Sequence, residues 1–176
     1  MEFQDKIYFY GSKGKYGFLS NFYKCNFECF INNNIVEFNC SEQYFMYFKC
    51  ITFDPNNSEL LNMILKETNP VKIKSLGRKV SNFDEKIWTS KKYSVMLNAL
   101  YYKFSQNSIL QQKLLNTGNK KLYEASPRDK IWGIGFSAEK AIHIETIKYG
   151  CNLLGNALME IRDKFKEHYK KLNIII

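Results

Sequence analysis

The sequence predicts one globular domain in which a small β element near the N-terminus gives way to a helix-dominated remainder. Three observations carry that prediction. The chain has 176 residues, 45% of them hydrophobic and only 3 of them prolines, which suffices for one substantial core but not for two. Up to Phe38 the apolar residues fall in short aromatic-rich runs bounded by Gly and Asn, the pattern of strands and turns. Beyond Cys40, N-capping residues and closing glycines recur at helix-length intervals.

Taken in order, KIYFY (Lys6 to Tyr10) reads as a strand ended by the glycine-rich GSKGKYG. Phe27 to Phe38 reads as a hairpin turning at Asn32, Asn33 and Asn34. Asn39 or Ser41 can cap a helix that opens with Glu42. Asp54-Pro55 pairs an N-cap with a first-turn proline and predicts a helix from Pro55 to about Glu67. Asn69-Pro70 repeats the signal for a short helix closed by Gly77, and Asp84 caps a longer one to Phe104. A helix from Asn107 to Asn116 has Gly118 just past its end, and Lys121 to Ala125 is extended. Finally Leu154, Leu158, Ile161, Phe165, Tyr169 and Leu172 recur at helical spacing, an amphipathic terminal helix whose stripe is core packing.

Charge and cysteine content narrow the chemistry. A formal net charge of +9 suits an anionic partner such as a nucleotide, a nucleic acid or a phosphorylated metabolite, or else a solvated basic surface, since the lysines are spread along the chain. The five cysteines include no C-x-x-C pair, and His143 and His168 stand far from all of them but Cys151, so free thiols and no metal site are expected. No apolar run reaches membrane-spanning length and the first residues do not read as a signal peptide, so an intracellular, cytoplasmic protein without a membrane partner is expected.

Two constellations carry chemistry. In CSEQYFMYFKC (Cys40 to Cys50), Glu42, Phe45 or Met46, and Lys49 fall on one helix face, with Tyr44, Tyr47 and Phe48 on the others. A helix apolar nearly all round is buried, and a buried carboxylate is paired, hydrogen-bonded or working. Glu42 and Lys49 are two turns apart, about 10 Å along the axis, so they can flank a ligand. The plainer alternative is that Glu42 complements the helix dipole while Lys49 snorkels outward.

In EASPRDKIWGIG (Glu124 to Gly135), Asp129 follows a Ser-Pro turn and Trp132 precedes two close glycines. Trp132 can stack on a flat ligand, and Asp129 can bond a ribose hydroxyl, act as acid or base, or simply cap its turn. Gly150, Asn152 and Gly155 mark the entrance to the last helix, where unengaged N–H groups can bind phosphate, or where an ordinary helix simply starts.

With FLSNFY (Phe18 to Tyr23), SEQYFMYFK (Ser41 to Lys49), KSLGR (Lys74 to Arg78), Trp88, VMLNALYYKF (Val95 to Phe104), LLNTG (Leu114 to Gly118), EASPRDKIWGIG and GCNLLGNALMEIR (Gly150 to Arg162), the chain resembles the NADAR, or YbiA-like, family in order and spacing along nearly its whole length. The resemblance implies a single compact, helix-rich α+β domain over residues 1–176. It implies hydrolysis of N-glycosidic bonds to ribose without a cofactor. The implied substrates are ADP-ribose attached to guanine in nucleic acid, or phosphoribosylamino-pyrimidine intermediates of riboflavin synthesis.

Carried over by position, it makes Glu42, Lys49 and Asp129 the catalytic candidates and Asn21, Arg78, Trp88, Trp132, Gly133 and Asn152 the substrate contacts. The chain departs from the family at Gln43, where His is common, at Met46, where a polar residue is common, and in INNNIVEFNCSE, which lacks the usual tryptophan. Ser137 to Lys148 matches no motif. Beside the hydrolase reading stand a non-catalytic ADP-ribose or NAD binding module, which needs the aromatic and glycine contacts but not Glu42 or Lys49, and a general nucleic-acid binder, which relies on the net charge and exposed tyrosines, with salt-dependent affinity and no need for Glu42.

Overall fold

Two asparagines in left-handed backbone make the first tertiary feature. In the computed structural model, which describes residues 1–172, β2 (Phe27–Ile31) and β3 (Asn34–Phe38) pair antiparallel from Phe27↔Phe38 to Ile31↔Asn34. Asn32 and Asn33 link them with φ of 48° and 63°. Asn tolerates that region, and two successive positive φ values give the two-residue turn whose twist matches paired strands. Phe27 and Cys29 point inward, and Phe30 and Ile35 sit opposite one another on the exposed face.

This hairpin belongs to the first of two compact units, Asn21–Asn107. Its centre is α1 (Ser41–Phe53), which packs against α2 (Ser58–Lys66), α3 (Pro70–Gly77) and α4 (Glu85–Ser105). A helix enclosed on so many sides must be apolar nearly all round, which is why Tyr44, Phe45, Met46, Cys50 and Phe53 are all buried. Rings of Phe27, Phe38 and Tyr44 pack between hairpin and helix at centroid distances of 5.1–6.2 Å, Phe27 stacked on Phe38 and Tyr44 edge-on to Phe38. Gly77 lets α3 approach α1, because a Cβ there would lie 1.9 Å from the sulfur of Met46.

Helix ends follow local chemistry, with two departures from the sequence reading. Asn69 caps α3 through its side chain at Val71 N, with Pro70 in the first turn, and Asp84 caps α4 at Ile87 N, both as expected. The second helix, however, starts at Ser58 with Asn57 as its cap, not at Pro55. Asp54 instead ends α1, and its carboxylate accepts bonds from Asn57 Nδ2 and Ser81 N. At the head of α1 the cap position is Cys40, whose side chain makes no capping bond, rather than Asn39 or Ser41.

The second unit comprises Met1–Ser20 and the described residues from Ser108 onward. β1 (Lys6–Phe9) and β4 (Lys121–Glu124) pair in parallel, Lys6 with Lys121 through Phe9 with Glu124. Parallel strands need a long connection, and here most of the chain lies between them. α7 (Leu153–Lys171) covers β4 and packs on α5 (Ser108–Leu115). Leu154, Leu158, Ile161 and Phe165 are buried as the stripe predicts, whereas Leu172 lies past the helix and is exposed. On the same helix Arg162 is buried, donating to Thr117 Oγ1 and the Lys120 carbonyl at 2.9 and 2.8 Å. The short α6 (Ala138–Ala141) closes a cluster of Tyr8, Ala125, Ile134 and Ala141. Helices dominate over two small sheets, the α+β, helix-rich class that the sequence predicts.

Candidate active site

Asn21 opens the first unit and Glu42 sits in the first turn of α1, where a carboxylate meets the positive end of the helix. Two hydrogen bonds join them: Glu42 N donates to the Asn21 carbonyl at 3.0 Å, and Asn21 Nδ2 donates to Glu42 Oε2 at 2.5 Å. Glu42 is only 2% exposed. A carboxylate so enclosed keeps one rotamer, and its orientation is set before any ligand arrives.

Lys49 lies seven residues along the same helix. Its Nζ donates to the Gly77 carbonyl at 3.0 Å and sits 4.2 Å from the ring centroid of Phe83. Burial lowers its pKa below the ordinary lysine value. Arg78 lowers it further, while Glu85 and Glu42 act in the opposite direction. Glu42, Lys49 and Arg78 therefore share one electrostatic neighbourhood, and the amine's hydrogen-bond acceptor among the described residues is a backbone carbonyl. Arg78 itself is exposed at the end of α3.

Trp88 departs from its expected role as a ligand contact. It is 6% exposed, with its ring 5.0 Å from Phe45 and 6.1 Å from Phe53, so it is core packing beneath α1. Gln43 also proves architectural. Its Nε2 donates to the carbonyls of Ile64, Leu65 and Glu67, closing the open end of α2, and its Oε1 accepts from Asn39 N. The glutamine at this position is thus explained by packing, as is Met46 by its contact with Gly77.

The other candidates lie in the second unit. Asp129 Oδ1 accepts from Ile131 N and Trp132 N at 2.9 and 2.8 Å, which folds residues 129–132 into a tight Asx turn. Trp132 is half-buried beyond it. Gly133 is required by close approach, since a Cβ there would lie 2.8 Å from the Glu124 carbonyl and 2.9 Å from Ser126. The backbone N–H groups of residues 150–154 donate to carbonyls of Lys130, Ile131, Trp132, Gly133 and Ile134. They are therefore engaged, and the expectation of unengaged N–H groups for phosphate is corrected. Asn152 accounts for this junction: its Nδ2 donates to the Leu122 carbonyl, its Oδ1 accepts from Glu124 N, and it is 5% exposed. It holds the Lys130–Ile134 loop to β4 rather than presenting its amide to a ligand.

One ionisable residue is not singled out by the sequence reading. Lys103 is fully buried, its Nζ 5.5 Å from the ring centroid of Tyr23 and 5.1 Å from that of Phe104. Burial pushes its pKa down to about 8, opposed by the nearby Cys25 and Cys40. A signal for it exists: Met96, Ala99, Leu100, Lys103 and Phe104 form the buried stripe of α4, and a lysine stands on it.

Among the described residues no group of three His, Cys, Asp or Glu is placed to hold a metal ion, and no helix is long and apolar enough to cross a membrane. A carboxylate, an amine of lowered proton affinity and an exposed guanidinium in one neighbourhood suit polar bond cleavage by acid–base or covalent catalysis.

The chain is similar to proteins named as N-glycosidases and riboflavin biosynthesis proteins. The chain is 39% identical over 169 residues to the N-glycosidase R617 of Acanthamoeba polyphaga mimivirus, covering 93% of this chain and 98% of that protein. It is 29% identical to the riboflavin biosynthesis protein VVA0006 of Vibrio vulnificus (strain YJ016), covering 94% of this chain but 40% of that longer protein. The NMR structure of the E. coli protein YbiA superposes with a TM-score of 0.74 at 30% identity, covering 99% of this chain and 92% of that one. These matches support an N-glycosyl hydrolase. With the NADAR domain model matching residues 8–166, the chain belongs to the NADAR domain family.

Proposed function

We propose that Glu42 and Lys49 form the reacting centre of an enzyme that hydrolyses the C–N bond between a base and a ribose. The substrate is ADP-ribose on guanine in nucleic acid or a phosphoribosylamino-pyrimidine. The observation that carries this reading is the buried Glu42, whose carboxylate accepts from Asn21 Nδ2 while its backbone N–H donates to the Asn21 carbonyl, and which shares its field with an amine that burial makes easier to deprotonate.

As the bond breaks, its electron pair leaves with the base nitrogen and positive charge develops at the anomeric carbon. A fixed carboxylate stabilises that charge without reorganising. In direct hydrolysis Glu42 also takes the proton of the water whose oxygen bonds to the anomeric carbon. In the covalent route, which we favour, neutral Lys49 Nζ bonds to that carbon. The ring oxygen then leaves and is protonated, giving an imine, and water returns the free sugar and the amine. Asp129 is assigned to protonating the departing base and Trp132 to stacking on it. Both assignments rest on the family resemblance, and Asp129→Asn tests the first separately.

The experiment is Glu42→Gln assayed with each of the two substrates, with released base and sugar separated by chromatography. The variant keeps shape and loses charge, so turnover is abolished while substrate still binds. Release of base at the wild-type rate overturns the reading. Joint loss of affinity and fold makes Glu42 structural, and binding without turnover by the wild-type protein favours a non-catalytic ADP-ribose module.

A further inference from the structure

The α2–α3 corner of the first unit carries a concentration of cations, of which Arg78 borders the reacting centre and the groove lysines take no part in it. A groove of about 440 Å³ is lined by Met63, Lys66, Glu67, Lys72, Ser75 and Lys79, with Leu76 at its base. Lys72 and Ser75 are one turn apart on α3, and Lys79 lies two residues past its end. The acid of the groove is already engaged, since Glu67 Oε1 accepts from Thr68 N and Asn69 N at 2.9 and 2.8 Å. On the other side of α3, Lys74 sits 5.8 Å from the ring of Phe22, the residue following Asn21, and Arg78 borders Lys49. None of Lys66, Lys72, Lys74, Arg78 and Lys79 has an ion-pair partner among the described residues.

We infer that this corner binds the phosphodiester backbone of a nucleic-acid strand that presents its modified base to the Glu42–Lys49 centre. The inference rests on the proposed function and selects the nucleic-acid substrate over the free nucleotide. Three features favour a strand over a single phosphate. The lysines of the groove are solvent-exposed and no buried charge reaches into it, which suits sequence-independent backbone contact and not the enclosure of one anion. The cations extend around α3 from the groove to the residues beside Asn21 and Lys49, so successive phosphates can meet successive side chains. Lys49 is bonded to the Gly77 carbonyl at the end of the same helix, so a strand on this corner runs up to the reacting centre.

The test is fluorescence anisotropy with a labelled, unmodified single-stranded oligonucleotide, titrated at several salt concentrations. Lys72→Glu/Lys79→Glu is compared with wild type and with Lys91→Glu/Lys170→Glu, which changes the net charge equally with exposed lysines elsewhere. We expect the groove variant to bind at least about tenfold more weakly at low salt. Its dependence of log K on log salt should be shallower by about 1.4, because two phosphates of a single strand are no longer neutralised by lysine. The control variant should stay close to wild type. Equal weakening of both variants, unchanged binding by the groove variant, or no binding by wild type each overturns the inference. Because binding is read on unmodified strands, failure of the glycosidase reading appears in the turnover assays alone.

Discussion

Asn21 and Glu42 grip each other through backbone and side chain at once, at 3.0 and 2.5 Å, although 21 residues separate them in the chain. The backbone bond places the first turn of α1 and the side-chain bond aims its carboxylate. We therefore expect Asn21→Ala to leave the fold in place and lower kcat about 10- to 100-fold, the scale of a small misplacement of a reacting group. Steady-state kinetics with circular dichroism separates this outcome from unfolding, and an unchanged kcat removes Asn21 from the site.

Lys49 distinguishes the two chemical routes. If its amine bonds to the opened sugar, borohydride added during turnover reduces the imine to a stable secondary amine, and mass spectrometry places the adduct on Lys49. Lys49→Arg then loses activity, because a guanidinium does not become a neutral nucleophile near pH 7. An unmodified Lys49 after reduction of a sample in active turnover, with partial activity in Lys49→Arg, establishes direct hydrolysis instead.

Lys103 makes stability depend on pH. Its pKa of about 8 in the folded chain lies below the ordinary lysine value of 10.5. Between those limits the unfolded state binds more protons than the folded one, so stability from this group rises with pH across that window and is lost as pH falls through 8. The full effect is about 3 kcal/mol. Cys40 acts oppositely, because burial pushes its thiol up to about 12 and its contribution falls away above pH 9. The measurement is therefore a difference, urea unfolding of wild type against Lys103→Met, which should move in favour of wild type between pH 8 and 10.5. A pH-independent difference contradicts the depressed pKa.

Asn152 carries two bonds and an unusual backbone. Its φ is 52°, and its amide satisfies both Leu122 O and Glu124 N. Asn152→Ala leaves two buried backbone groups unpaired in a left-handed position, with an expected cost of about 2–4 kcal/mol. Amide exchange at Glu124 should accelerate with it. A variant as stable as wild type, with Glu124 still protected, shows the amide to be dispensable.

Local chemistry is what the sequence by itself determined. The Asn32–Asn33 turn, the Asn69-Pro70 and Asp84 helix starts, the stripe from Leu154 to Phe165 and the enclosed helix carrying Glu42 and Lys49 depend on interactions within a few residues, so spacing and residue type suffice to read them. Even there, adjacent capping residues compete. Asp54 reads as a start, but its carboxylate is drawn to Ser81, 27 residues away, and Asn57 takes the cap. Only the tertiary structure decided which of the candidate side chains serve the scaffold. Gln43 closes α2, Trp88 packs on Phe45 and Asn152 secures β4, each by contacts with segments distant in sequence. Burial acts the same way on Lys49 and Lys103: the distant chain that removes water around an amine, not the residues beside it, sets how readily it gives up its proton.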